Sequence, residues 1–232
     1  MVTREIEDTG SRQPRMAATW NMNQFFTEVA TRPGEYAANL LRHYNLRQED
    51  LSPEAILGGL YSEDPIVRIG AIMVCGTIFD PIPNRQIMEK IMGLLFDPEE
   101  AIVRSEALYA LSKMPLSDVQ AAYPGLPSVL TKLLSESSNP YILTGAIELL
   151  LRLEVPSGMA VPELLNLLEK SEDPQVRGRA AYALGWIGGA TVLNSLRWLG
   201  GRETNEDVRA EISNSIERIS SIASIVPRRT QE

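Results

Sequence analysis

Five segments of the chain carry one apolar pattern in one register, and this repetition restricts the fold more than any other feature. Asp173-Pro174-Gln175-Val176-Arg177 leads into Ala180, Ala183, Leu184 and Ile187. Asp64-Pro65-Ile66-Val67-Arg68 leads into Ala71, Val74, Cys75 and Ile78 at the same offsets. Val103-Arg104 and Val208-Arg209 head two further copies, and Asn139-Pro140-Tyr141-Ile142 heads a weaker one. With Val67, Val103, Ile142, Val176 and Val208 as reference positions, successive copies stand 36, 39, 34 and 32 residues apart. Steps of this size indicate stacked helical pairs, each too small to bury its apolar face alone.

The pattern within a copy is helical. Apolar residues at offsets 0, +4, +7, +8 and +11 from the reference fall on one face of a 3.6-residue helix. Asp64, Asn139 and Asp173 suit the N-cap, where a short side-chain oxygen accepts from unpaired backbone N–H groups, and the prolines that follow fit the first turn. Small residues at offset +4 (Ala71, Ala107, Ala146 and Ala180) allow a neighbouring helix close approach. A first helix precedes each copy, marked by Ile56, Leu57 and Leu60; by Ile87, Ile91, Leu94 and Leu95; by Val129, Leu130, Leu133 and Leu134; by Leu164, Leu165, Leu167 and Leu168; and by Val192, Leu193, Leu196 and Leu199. Breakers stand between pairs at Asp80-Pro81-Ile82-Pro83, Tyr123-Pro124-Gly125, Val155-Pro156 and Gly188-Gly189. No stretch alternates with period two between hairpin turns, so strands are not expected.

These elements set the expected organisation. Residues 51–220 form the repeat array. Residues 19–50, with helices over Asn21–Thr31 and Glu35–Leu46, form an N-terminal cap for its open face. Residues 1–18 are a disordered tail and residues 221–232 a flexible one.

Acidic residues outnumber basic ones, 30 to 22, for a net charge of −8, which disfavours broad binding to phosphate backbones. No apolar run approaches the roughly 20 residues that span a bilayer. The single cysteine forbids an intrachain disulfide. With no leader-like N-terminus, a soluble cytoplasmic protein is the expectation.

The pattern Asp-Pro-x-Val-Arg…Ala…Ala-Leu…Ile resembles HEAT repeats, and more narrowly the HEAT-like repeats named after phycobilisome lyases. Residues 172–189 match best, and the third copy departs from the pattern, with Leu143 where the others carry Arg. The resemblance implies an all-α, right-handed α-solenoid of about five antiparallel helix pairs with a concave surface for partners. Known members include scaffolds, adaptors and proteins that attach or detach bilins. Fold does not dictate function, so two readings follow. One is a non-catalytic scaffold or adaptor that binds another protein on the concave face. The other is a lyase or chaperone acting on a phycobiliprotein.

Candidate chemistry is sparse. His43 is the only histidine, so no histidine metal pair exists. Cys75, at offset +8, falls on the apolar face and reads as an inert small hydrophobe, and the His-Cys pair of isomerising lyases is absent. Gly185-Trp186-Ile187-Gly188-Gly189 lacks the spacing and the lysine of a phosphate loop. No cofactor or metal is expected. Arg68, Arg104, Arg177 and Arg209 recur in register with Asp64, Glu100, Asp173 and Asn205 three residues before the reference, and are expected to form a structural ladder between repeats.

Offsets +6 and +10 point away from the apolar face. They hold Met73, Tyr109, Glu148, Tyr182 and Asn214, and Thr77, Lys113, Arg152, Trp186 and Arg218. Exposed rings and arginines are the chemistry of interface hot spots. Met73, Tyr109, Lys113, Glu148, Arg152, Tyr182, Trp186 and Arg218 are therefore the expected partner-binding set, with neither nucleic acid nor membrane insertion involved.

Overall fold

Capping explains where the helices begin. In the computed structural model, which describes residues 22–32, 39, 51–77, 84–96, 100–153 and 158–225, the Asp173 carboxylate accepts from the backbone N–H groups of Gln175 and Val176. Asn139 accepts from Tyr141 and Ile142, Asp64 from Ile66, and Asn205 from Val208. At the other end of the helix opened by Asp173, Gly188 is the C-cap, and Gly189 follows at φ 61, where a side chain would be strained.

Among the described residues the chain is entirely helical. Helix α1 is Met22–Thr31. The pairs are α2 (Pro53–Leu60) with α3 (Pro65–Thr77), then α4 (Arg85–Leu94) with α5 (Ala101–Lys113). A short α6 (Leu116–Ala122) intervenes. Then come α7 (Leu126–Glu136) with α8 (Pro140–Arg152), α9 (Val161–Lys170) with α10 (Pro174–Ile187), and α11 (Leu193–Gly200) with α12 (Glu206–Ile225). A 3-10 turn, Gly189–Val192, leads into α11.

Packing sorts the helices into two layers. The second helices stack in the order α3, α5, α8, α10, α12, and α1 lies against α3 at the head of that layer. The first helices form the other layer. This arrangement is an α-solenoid. The apolar face read from the sequence fills the space between layers: Val67, Val103, Ile142, Val176 and Val208 are each 0–2% exposed, and the alanines at offset +4 are at 0%.

Three details depart from the sequence reading. The 39-residue step between Val103 and Ile142 contains an extra helix, α6, anchored by buried Val119. It was not legible because seven residues are too few to show a helical period. Helix α12 continues to Ile225, past the array boundary expected at 220. No proline or glycine interrupts Ile216 to Ile225, so nothing in the chain stops the helix earlier. The arginine ladder is the third. Asp64, Asp173 and Asn205 cap helices. Arg68 Nη1 instead donates to the carbonyls of Ser62 and Glu63, both at 2.9 Å, and Arg177 Nη1 to those of Ser171 and Glu172 at 2.9 and 3.0 Å. Arg209 Nη1 donates to the Glu203 carbonyl at 3.0 Å. These arginines staple the loop within a pair, satisfying loop carbonyls just beyond the end of the first helix. Arg177 also makes a rung between pairs, donating to both carboxylate oxygens of Glu203 at 2.8 and 3.0 Å. In the third copy Leu143 replaces the arginine and is buried.

The expected helix over residues 35–46 lies outside the described residues apart from Asn39, as do His43 and residues 1–18. The side chain of Thr77 is also outside the description.

Candidate functional site

The outward face of the second-helix layer is built by helical geometry. A residue at offset +6 and one at +10 lie one above the other on the same side of a helix, and stacking brings equal offsets side by side. The sequence-expected residues divide there into two groups and one outlier.

The first group joins α10 and α12. Tyr182 is half-buried and Trp186 is 54% exposed, with ring centroids 6.2 Å apart in an edge-on arrangement. The Arg218 guanidinium from α12 sits 5.1 Å from the Tyr182 centroid and 4.6 Å from that of Trp186. A cation over a ring face is attracted by the ring quadrupole, by about 0.5–1 kcal/mol where exposed. The approach depends on Gly185: a Cβ there would lie 2.5 Å from both Arg218 Nη1 and Ser215 Oγ. Fully buried Ser215 donates to the Ala181 carbonyl at 2.9 Å and fixes the spacing.

The second group spans α5, α8 and α10. Tyr109, Lys113, Glu148 and Arg152 line one open groove of about 600 Å³, together with Ser112, Thr144, Gly145 and Arg179. Lys113 Nζ lies 4.9 Å over the Tyr109 ring, and Arg179 pairs with Glu148 at 3.6 Å. A neighbouring groove of about 820 Å³ between α10 and α12 shares Thr144 and Arg179 and adds Gln175, Tyr182, Asp207 and Glu211. Met73 is the outlier. It is half-buried against the core and lines neither groove.

Sequence reasoning missed Arg179, Thr144 and Gly145. Arg179 stands at offset +3 and shares its helix face with +6 and +10, so the period alone would have found it. Trp198, 52% exposed on α11 with the Arg202 guanidinium 4.6 Å from its ring, lies in the other layer and carries no repeating signal.

Burial pushes the Cys75 thiol up to about 12, so the nucleophilic thiolate is suppressed. Burial also raises Glu106. The hydrogen bonds from Arg177 hold Glu203 below the ordinary carboxylate range and raise Arg177 in turn. Among the described residues no group of His, Cys, Asp or Glu is placed to hold a metal ion, and no helix is long and apolar enough to cross a membrane.

Comparison with known proteins supports the repeat assignment. A protein of Geobacillus stearothermophilus described as "Uncharacterized protein in gldA 3'region" is 38% identical over 60 residues, which make up 26% of this chain and only 28% of that relative. A crystal structure of an engineered protein superposes with a TM-score of 0.55 at 18% identity, covering 87% of this chain and 99% of that one, a likeness of fold alone. Residues 127–217 match the family described as HEAT repeats, so that part of the chain carries HEAT repeats, in a solenoid whose described elements are all helical.

Proposed function

We propose that the protein is a non-catalytic scaffold or adaptor that captures another protein on the face formed by its second helices. The observation that carries this reading is the Tyr182–Trp186–Arg218 cluster. Rings left at the surface usually lose entropy on docking. Here Tyr182, Trp186 and a guanidinium hold one another before any partner arrives. Preorganised aromatic and arginine side chains are the groups in which binding energy concentrates.

The test is affinity capture with the wild type and with the double variant Tyr182→Ala, Trp186→Ala, read by mass spectrometry. Losing a hot-spot ring costs about 2 kcal/mol or more, roughly a thirtyfold loss of affinity. The partner enriched by the wild type should disappear while the helical dichroism spectrum is kept. Unchanged capture would place the contact elsewhere, and unfolding of the variant would assign the rings to the core. A bilin-dependent absorption change on co-expression with a phycobiliprotein would favour the lyase-type reading instead.

A further inference from the structure

One part of the proposed face is cationic. In the groove across α5, α8 and α10, Lys113, Arg152 and Arg179 meet a single carboxylate, Glu148, in a protein whose net charge is −8. That carboxylate is already engaged by Arg179. The Ser112 and Thr144 hydroxyls are spent on the carbonyls of Tyr109 and Pro140 at 2.7 and 2.8 Å. Arg152 is half-buried and its Nη1 is enclosed with no hydrogen-bond partner. One donor of the guanidinium is thus left unsatisfied by the fold, a costly arrangement for a half-buried cation. Gly145 adds no side chain to the groove that it lines.

A second feature shares this helix face. Offsets −1, +3, +6 and +10 lie on one side of a helix. The groove between α10 and α12 confirms this, since Gln175 and Asp207 at offset −1 line it with Arg179 and Glu211 at +3 and Tyr182 at +6. In α3, α5 and α8 the offset −1 position holds Ile66, Ile102 and Tyr141, which are 41%, 57% and 75% exposed. On α5 and α8 the face therefore has an apolar residue at the start of the helix, Ile102 and Tyr141, and a cation near its end, Lys113 and Arg152. From offset −1 to +10 is about 16 Å at 1.5 Å per residue, the reach of roughly five residues of extended chain. Towards the start of α12 the face turns acidic, with Asp207 and Glu211, which disfavours an anionic occupant over that part of it.

We infer that the groove bounded by Lys113, Arg152 and Arg179 takes an acidic, extended segment of the partner protein, whose carboxylates pair with these cations and whose apolar side chain rests on Ile102 and Tyr141. This rests on the scaffold reading and specifies the partner's chemistry. Nucleic acid fits less well, because its backbone charge continues where the face turns acidic.

The test uses the full chain and fluorescein-labelled peptides of about ten residues. Each carries clustered Asp and Glu and one Leu or Phe about five residues away, and is paired with its Asn and Gln counterpart. Fluorescence polarisation should show the acidic peptide binding at least tenfold tighter than its amide counterpart, with the difference shrinking in about 0.5 M salt. Lys113→Gln with Arg152→Gln should remove the preference, and so should Lys113→Glu with Arg179→Glu, which changes exposed side chains only. Equal binding of acidic and amide peptides would overturn the inference, as would an unchanged preference in both folded variants. Competition by inorganic phosphate at concentrations similar to the peptide would reduce the groove to a small-anion site and likewise overturn it. If the Tyr182→Ala, Trp186→Ala variant loses partner capture while the charge variants keep it, the scaffold reading stands and this inference alone fails.

Discussion

At one end of the second-helix layer α1 lies against α3 with Phe25 and Phe26 wholly enclosed. At the other, α12 lies against α10 with Trp186 left at the surface. Both junctions depend on glycine. At the first, a Cβ on Gly70 would land on the Phe26 carbonyl oxygen, and one on Gly59 would lie 2.5 Å from the Phe26 ring. At the second, a Cβ on Gly185 would strike Ser215 and Arg218. The first junction spends the close approach on seating two rings in the core. The second spends it on bringing a guanidinium over two rings that stay accessible. The same sequence device thus serves stability at one end and presentation of a surface at the other.

The largest way to break this contrast is Gly70→Val. The added atoms meet backbone, which cannot rotate aside, so α1 should leave its seat and expose Phe25 and Phe26. Exposing two aromatic side chains costs about 3 kcal/mol or more. Solenoid elements contact only their neighbours, so the loss should stay local. Hydrogen exchange should show residues 22–31 unprotected while α8 to α12 keep wild-type protection. Protection of α1 in this variant would mean that the junction is looser than its contacts indicate.

The next effect is smaller and belongs to the C-terminal end, where polar contacts carry the joint. Arg177 donates two hydrogen bonds to Glu203, and the two side chains are only 15% and 8% exposed. Those bonds hold the folded-state value of Glu203 below its unfolded one, against the opposing effect of burial. Their stabilisation is therefore present above the unfolded value of roughly 4.3 and disappears as pH falls through the folded one. Glu203→Gln should cost about 2 kcal/mol at neutral pH, the scale of a charge-assisted pair. The gap from wild type should close in acid. Urea titrations of both proteins across pH would check this, and parallel curves at every pH would refute it.

Much of this was legible before any coordinates. The caps at Asp64, Asn139 and Asp173 and the buried reference valines follow from local chemistry that repeats, and repetition averages out accidents of single residues. What was not legible has a shared cause. The arginine staples, Arg177 with Glu203 and Arg179 with Glu148 depend on which loop or neighbouring helix lies within reach, and spacing along one helix does not report that. Glycine was equally opaque. Gly70, Gly76, Gly145 and Gly185 look alike in sequence, yet a Cβ would meet a backbone carbonyl at the first and side chains of α12 at the last. Trp198 is invisible to a register argument because its layer does not repeat at that position.

Gly185→Ala gives the smallest effect and the finest test of the comparison. Alanine is the better helix former by about 1 kcal/mol, which favours the variant. Against this, the new Cβ would lie 2.8 Å from Ser215 Cβ and 2.5 Å from Ser215 Oγ, a short side chain on a helix backbone that must itself shift. Crowding of this kind typically costs about 1–3 kcal/mol. The two terms nearly cancel, so net stability should change by about 1 kcal/mol or less. The surface should not be so forgiving. Moving α12 outward lengthens the Ser215 bond to the Ala181 carbonyl and draws Arg218 off the Tyr182 and Trp186 rings. In a Trp20→Phe, Trp198→Phe background, where Trp186 is the remaining tryptophan, adding Gly185→Ala should change its emission at almost constant stability. Arg218→Met should reproduce that change. If emission is unaltered, the guanidinium does not depend on the close approach, and the glycine at this end serves packing as it does at the other.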